Sequence, residues 1–352
     1  MSKRAFISAW VPWLRFNLKT SAPDKNNLHP KIKKNLDNLS AKNQDWEILV
    51  FDDNDIANFI KENFDNFYLD LFKIVNPKLG PAKADLFRYL YILKNGGVYL
   101  DLKSTINPRL NDIIKKDDDF IVSSWGKTHS GWGIHKEIGK IKEFQQWFII
   151  SSPNNDIFRS LIDRCILNLS FYNKGIFGLG KNGVVRSTGP IPFTQEMIRA
   201  KKRNWRRINS EDDGLVYSIF GSGFRDHEVA FNQHYIDSQE EVVSSGVVEF
   251  RTSHKDLIQQ AISRNEKKIH STSPEIGNKN FDEYEIEELK SIFNLNPTNF
   301  KLLVTLTKKM VKFQQSKEAI DFLKRQIMLR PYCKQSYELV FEAQENIKDQ
   351  RN

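Results

Sequence analysis

Asp85, Arg88, Asp101 and Lys103 fall within one stretch, KADLFRYLYILKNGGVYLDLK, at residues 83–103. Asp85 and Arg88 are three residues apart, so on a helix they project from one face. They interrupt a run, Ala84 to Leu93, that is otherwise almost wholly apolar, and a helix apolar all round is a buried one. Taking a charge out of water costs several kcal/mol unless partners are supplied. An acid and a base placed there either satisfy each other or wait for a polar ligand.

The elements that must position them follow from the flanking residues. Asn95-Gly96-Gly97 stops the helix, because glycine accepts the left-handed conformation that closes it. Val98-Tyr99-Leu100 is short, β-branched and aromatic, and predicts a buried strand ending at Asp101. Asp101 and Lys103 then lie on the same side of an extended chain. In open α/β sheets ligands bind in the crevice beyond the carboxyl ends of the strands, and this helix, double glycine and strand deliver an acidic residue to it.

The stretch resembles the core of glycosyltransferase family 32, the sugar-binding DXD-motif enzymes, which include bacterial capsular-polysaccharide transferases. The shared pattern is K-x-D, two apolar residues, R-Y, a short spacer, then G-G-x-Y-x-D. The resemblance implies an α/β chain with a GT-A-like, Rossmann-like nucleotide-sugar-binding domain, and a retaining transferase using a UDP- or GDP-sugar. It implies that Asp85 and Arg88 hold donor sugar hydroxyls, that Asp101 faces the diphosphate or its metal, and that Tyr99 stands among the donor-binding residues. The expected acceptor is a glycan or a lipid-linked acceptor, in capsule, lipopolysaccharide or other surface-polysaccharide synthesis. The alternative is a catalytically silent module of the same fold that recruits partners through a helical tail.

One position departs from the family: the second acid of the motif is Lys103. Two unit charges about 4 Å apart interact by roughly 4 kcal/mol at an effective dielectric near 20, and a divalent ion doubles that. A lysine facing the site opposes Mn²⁺ or Mg²⁺ and can neutralise the donor diphosphate itself. If it turns outward instead, another ligand completes a metal site with Asp101. His234, in Phe231-Asn232-Gln233-His234-Tyr235, lies where the family places a late histidine facing the diphosphate or metal, with His227 in reserve.

Elsewhere the resemblance is looser. Ala5 to Val11 suits a first buried strand, beside which Trp10 or Trp13 can stack on a nucleobase or fill the core. Trp46 to Phe51 predicts a second strand ending in Asp52-Asp53, where Asp53 reaches the nucleoside or, with Asn54, caps the next helix. Ser187-Thr188-Gly189-Pro190 matches a family T-G-P element on the acceptor side, and also reads as a simple turn. The segment 124–142, with Trp125, His129, Trp132 and His135, is a loop whose histidine spacing fits no metal motif.

The chain has 352 residues with a formal charge of +9, which points to an anionic partner. Basic residues concentrate at Arg199 to Arg207. That run reads as a solvated face or as peripheral contact with a membrane, and no nucleic-acid module accompanies it. The two cysteines support no disulfide framework. The short apolar run near the start, broken by Pro12 and Arg15, suits neither a secretion signal nor an anchor, so a cytoplasmic enzyme is expected, peripheral to the inner membrane if the basic run docks there. Residues 1–262 read as the transferase domain, 263–281 as a linker and 282–352 as helices resembling a tetratricopeptide repeat, available for self-association or a protein partner.

Overall fold

The structure, a computed structural model, describes residues 13–17, 28–129, 131–200, 205–221, 237–272, 281–295 and 300–349. Short apolar runs alternate with helical stretches through the first half. They give β1 (Trp13–Asn17), α1 (Pro30–Lys42), β2 (Glu47–Phe51), α2 (Asp53–Asn63), α3 (Asn66–Ile74), α4 (Gly80–Asn95) and β3 (Gly97–Asp101). Next come β4 (Thr105–Ile106), α5 (Leu110–Ile113), β5 (Phe120–Ser124), β6 (Phe144–Ser151), α6 (Asp156–Ser170), α7 (Lys174–Phe177), α8 (Gly180–Ser187) and α9 (Pro190–Arg199). Then follow β7 (Trp205–Asn209), β8 (Leu215–Val216), α10 (Val247–Ser253) and α11 (Lys255–Thr272), and finally α12 (Ile286–Leu295), α13 (Phe300–Lys312), α14 (Ser316–Leu329) and α15 (Lys334–Asp349).

Six strands form one sheet in the order β2-β1-β3-β6-β5-β7, and β4 pairs with β8 in a small ribbon. β1 runs parallel to β2 and β3, while β6 is antiparallel to both β3 and β5. β5 therefore points the same way as β3. The carboxyl ends of β1, β3 and β5 and the start of β6 share one edge, and the strand order reverses at β1, where such sheets bind ligands.

Alternation along the strands divides the core between the two faces of the sheet. Tyr99, Phe120, Val122 and Ile149 pack with α4, α6 and α9, whereas Val98, Leu100, Ile121, Phe148 and Ile150 pack with α1 and α5. A third cluster joins α12 to α15 with Ile176 and Phe177 of α7. The α/β class and the appended helices expected from the sequence are what the structure has.

Three expectations change. The helix cap after β2 is Asp52: its carboxylate accepts from the Asn54 and Asp55 amides at 2.9 Å, and Asp55 returns a bond to the Asp52 amide. Asp53 sits inside the helix instead, 3.4 Å from Lys83. The segment from Arg264, expected as linker, stays helical through Thr272 because its polar residues have partners on the body. Arg264 forks onto Asp163 at 2.7 Å, and Lys268 reaches Glu196 at 2.6 Å. The basic run is a solvated face only in part: Arg199 bonds Glu196 and Arg206 forks onto Asp118, whereas Arg207, which donates to Ser124 Oγ, is exposed. The strand expected at 5–11 lies outside the described residues. No described helix is long and apolar enough to cross a membrane.

Candidate active site

Two features of local structure bring the four charged residues together. The first is the junction between α4 and β3. Gly96 (φ +64°) and Gly97 (φ +94°) turn the chain back on itself, and a Cβ on Gly96 would lie 2.6 Å from the Pro153 nitrogen and 2.8 Å from the Ser151 carbonyl. Only glycine fits, and α4 is thereby held against its own strand with Asp101 at the strand's end.

The second is an irregularity in β6. Val122 faces Ile149, yet the next residue, Ser123, faces Gln145, so Gln146, Trp147 and Phe148 are extra on the β6 side. Such a bulge re-aims side chains. Here it presents Gln146 to α4: the Gln146 carbonyl accepts from Arg88 Nη1 at 2.6 Å, and its side-chain amide donates to Asp85 Oδ1 at 2.8 Å.

Asp85, Arg88, Asp101 and Lys103 are all at most 9% exposed. Arg88 Nη2 lies 3.3 Å from Asp85 Oδ1 and 3.3 Å from Asp101 Oδ1, bridging helix and strand. Its guanidinium lies 4.4 Å from the centre of the Tyr99 ring, and the Tyr99 hydroxyl donates to Asp101 Oδ1 at 3.0 Å. Burial works against the charge of Arg88, but Tyr99, Asp101 and Asp85 outweigh it and hold the guanidinium above its ordinary range. Asp85 Oδ2 also accepts from Thr188 Oγ1 at 2.9 Å. The acid and base of α4 thus satisfy each other and still face a cleft.

Lys103 feels the charge of Asp101 and meets Tyr217. Its Nζ lies 2.7 Å from the Tyr217 hydroxyl and 4.0 Å from that ring's centre. Burial pulls the ammonium down to about 8, against Asp101, which favours the charged form. It remains a cation at neutral pH. Burial, then Asp101 and Glu143, push the Tyr217 phenol up, so it stays a neutral hydroxyl.

Asp85, Arg88, Asp101, Lys103, Gln146 and Tyr217 line a cleft of about 320 Å³ that is also lined by Trp125, Trp132, Trp147, His135 and Glu143. Sequence reasoning assembled Asp85, Arg88, Tyr99, Asp101 and Lys103 correctly as neighbours. It missed Gln146, Tyr217 and Glu143, which come from elements distant in sequence and carry no motif. Thr188, singled out as part of a turn, reaches the cleft through Asp85. Asp53 is placed at the carboxyl end of β2 with Lys83. Trp10, His227 and His234 lie outside the described residues.

The described side chains at the cleft do not by themselves make a site for a divalent cation. Among the described residues no three His, Cys, Asp or Glu side chains are placed to hold a metal ion. Asp101 is the single motif carboxylate, and it already accepts from Arg88 and Tyr99 with Lys103 beside it. A cation there would meet two others.

Residues 30–120 match the family described as "Glycosyltransferase sugar-binding region containing DXD motif". The matched residues include Asp85, Arg88, Asp101 and Lys103, so the likeness to a glycosyltransferase sugar-binding region is carried by the stretch that builds the cleft. An uncharacterized glycosyltransferase of Acanthamoeba polyphaga mimivirus is 35% identical over 172 residues, which is 47% of this chain and 55% of the viral protein. This chain thus spans about half of that relative. Two solved structures share a looser likeness. The PaToxG glycosyltransferase is 15% identical with a TM-score of 0.37, covering 73% of this chain and 92% of its own. The ligand-free glycosyltransferase domain of the YGT toxin is 12% identical with a TM-score of 0.32, covering 74% and 69%.

Proposed function

We propose that the chain is a glycosyltransferase that takes a sugar from a UDP- or GDP-linked donor without a divalent metal, with Lys103 supplying the positive charge a metal would bring. The observation that carries this is the charge balance of the cleft. Asp85 and Asp101 are offset by Arg88 and Lys103, all buried and in contact or adjacent. With an acid at position 103 the same four positions would carry a formal excess of two negative charges, a natural counterpart for a divalent ion. With lysine they are neutral before any ion arrives.

In the reaction the bond from the donor anomeric carbon to the diphosphate oxygen breaks, and its electron pair leaves with the diphosphate. Lys103 stabilises that developing charge from a site largely withdrawn from water, where fixed charges are most effective. The Tyr217 hydroxyl holds the ammonium in place. Asp85 and Arg88, fixed by Gln146 and Thr188, orient the sugar hydroxyls. Each lining carboxylate among the described residues already has partners: Asp85 with Arg88, Gln146 and Thr188, Asp101 with Arg88 and Tyr99, Glu143 with Trp125 and His135. This favours direct attack by the acceptor hydroxyl oxygen on the face the diphosphate leaves, its proton passing to the departing diphosphate oxygen, with retention, over a covalent glycosyl–carboxylate intermediate.

The test is slow donor hydrolysis and saturation-transfer NMR over a panel of UDP- and GDP-sugars, with Mn²⁺ and with EDTA. One donor should turn over equally in both, and Lys103→Met should slow it by about 10²–10³-fold, the effect of removing one preorganised charge-stabilising group. Lys103→Asp should make the residual activity respond to Mn²⁺. Loss of wild-type turnover in EDTA would sink the lysine role, and absence of both binding and turnover across the panel would sink the transferase reading.

A further inference from the structure

The segment joining β5 to β6 does more than line the cleft. Residues 134–142, IHKEIGKIK, form a loop closed at its neck, where the Glu143 amide donates to the Gly133 carbonyl at 2.9 Å. Within the loop the chain turns tightly twice: the Gly139 amide donates to the Lys136 carbonyl at 3.3 Å, and the Ile141 amide to the Ile138 carbonyl at 3.4 Å. Gly133 and Gly139 adopt φ +72° and +67°, which glycine reaches without steric cost. A run that mixes isoleucine with charge is thus folded back on itself as one compact tip.

Folding sorts its side chains into two sets. Turned toward the body are Ile138, 7% exposed, Glu137, which accepts from Arg186 Nε at 2.6 Å, and His135, whose Nε2 lies 2.5 Å from Glu143 Oε2. Turned toward solvent are Ile134, 64% exposed, Ile141, 42% exposed, Lys136 and Lys140, with Lys142 half-buried at the neck. Glu137 is engaged by Arg186, and Glu143 by His135 and Trp125, so the acids of the segment are turned to other partners than its lysines. Every outward side chain of the tip is isoleucine or lysine.

A single exposed apolar residue is ordinary. Two isoleucines interleaved with lysines make a surface with two requirements, an apolar medium and negative charge. A bilayer bearing anionic lipids meets both: the isoleucines enter the boundary between headgroups and acyl chains, and the lysine stems lie along it with their ammoniums among the headgroup phosphates. A nucleic acid offers the charge without the apolar medium. We propose that this tip is an interfacial membrane contact that seats the chain on an anionic bilayer. Trp132, Gly133 and His135 at its base line the cleft, so the contact sets the cleft beside the bilayer surface. It is a different surface from the Arg199 to Arg207 run, where Arg199 and Arg206 are committed to Glu196 and Asp118. The inference goes beyond the transfer reading and stands without it.

The test is co-sedimentation of the full chain, without nucleotide, with vesicles of phosphatidylcholine alone and of equal parts phosphatidylcholine and phosphatidylglycerol. A thermal melt accompanies each variant, and because all the substituted side chains are exposed the melting temperatures should hold. Wild type should bind the anionic vesicles and leave the neutral ones. Lys136→Glu/Lys140→Glu should weaken that binding by about tenfold or more, since each lysine near an anionic surface is worth roughly fivefold. Ile134→Ser/Ile141→Ser should weaken it by about tenfold with the charge untouched. Lys33→Glu/Lys34→Glu, the same change in charge on exposed positions of α1, should bind like wild type. Failure of wild type to bind anionic vesicles overturns the proposal, as does an equal loss in the loop and α1 charge variants, which would reduce binding to net charge. Undiminished binding by the isoleucine variant overturns it too, and if a single-stranded oligonucleotide then displaces the vesicles, the lysines belong to nucleic acid.

Discussion

A lysine that burial has brought down to about 8 puts two opposite pH dependences on one side chain. In the unfolded chain it titrates at its ordinary value of 10.5. Between those two values the unfolded state binds more protons, so the contribution of Lys103 to stability falls as pH drops from 10.5 to 8 and stays lowered below that. The cost at neutral pH is roughly 3 kcal/mol at about 1.4 kcal/mol per unit. Diphosphate binding has the contrary sign, since it needs the ammonium, and weakens as pH rises through 8. Melting temperature and UDP or GDP affinity measured from pH 7 to 10.5, each as a difference between wild type and Lys103→Met, should therefore move in opposite directions. A melting difference that stays flat across the window would mean the ammonium is solvated in the folded chain. Of this site the sequence made the charges legible, because Asp85, Arg88, Asp101 and Lys103 sit in one helix, turn and strand. It could not show Tyr217 or Gln146. Tyr217 follows the short ribbon strand β8 and Gln146 belongs to a bulge, and both reach the site through pairing registers that local pattern does not encode.

The α4–β3 junction decides where Asp101 stands, because the strand it launches ends there. Gly96→Ala forces an L side chain into φ +64° and against the Pro153 and Ser151 backbone, which has no flexible end to give way. A loss of about 1–3 kcal/mol is expected for backbone strain of this kind. Because Asp101 ends the strand that the junction launches, donor turnover should fall along with melting temperature. Gly131→Ala is the control: its Cβ would meet nothing within 4 Å. Equal melting temperatures for the two variants would show that the junction relaxes freely. The double glycine was readable as a helix stop because left-handed geometry has a residue signature. The cap falls one residue before Asp53 and two before Asn54, the two candidates that the sequence offers, because Asp52, Asp53 and Asn54 are all capping types and the reciprocal bond with Asp55 that selects Asp52 depends on where the strand ends. Arg264 to Thr272 looked like a linker for a related reason, its charges being spoken for by Asp163 and Glu196 on other helices.

Across the whole molecule, the helices after α11 are tied to the body by a buried charge network. Arg164 of α6 donates to the Leu329 carbonyl at 2.8 Å at the end of α14, pairs with Glu196 of α9 at 2.9 Å, and reaches Asn265 of α11 at 3.2 Å. Burial alone would raise the Glu196 carboxyl, but Arg164, Arg199 and Lys268 hold it down at about 2. Ile176 and Phe177 add apolar contact from α7 to the same helices. The C-terminal helices thus have a neighbour for part of their apolar surface within the chain, which the sequence left open between the body and another copy. Arg164→Leu leaves the Leu329 carbonyl only its longer bond from Asn265 Nδ2, at 3.3 Å, and removes one partner of a buried pair, at a cost of about 3–5 kcal/mol, toward the lower end because Glu196 keeps Lys268 and Arg199. If the network makes body and tail one cooperative unit, calorimetry of the full chain should give one transition, which Arg164→Leu lowers or splits. Removal of residues 282–352 should then lower the melting temperature of what remains, because it uncovers Phe177 and leaves the Arg164 guanidinium without its carbonyl partners. Two transitions in the unmodified chain, with the first unaffected by Arg164→Leu, would instead make the tail an independent module and return it to a role in recruiting partners.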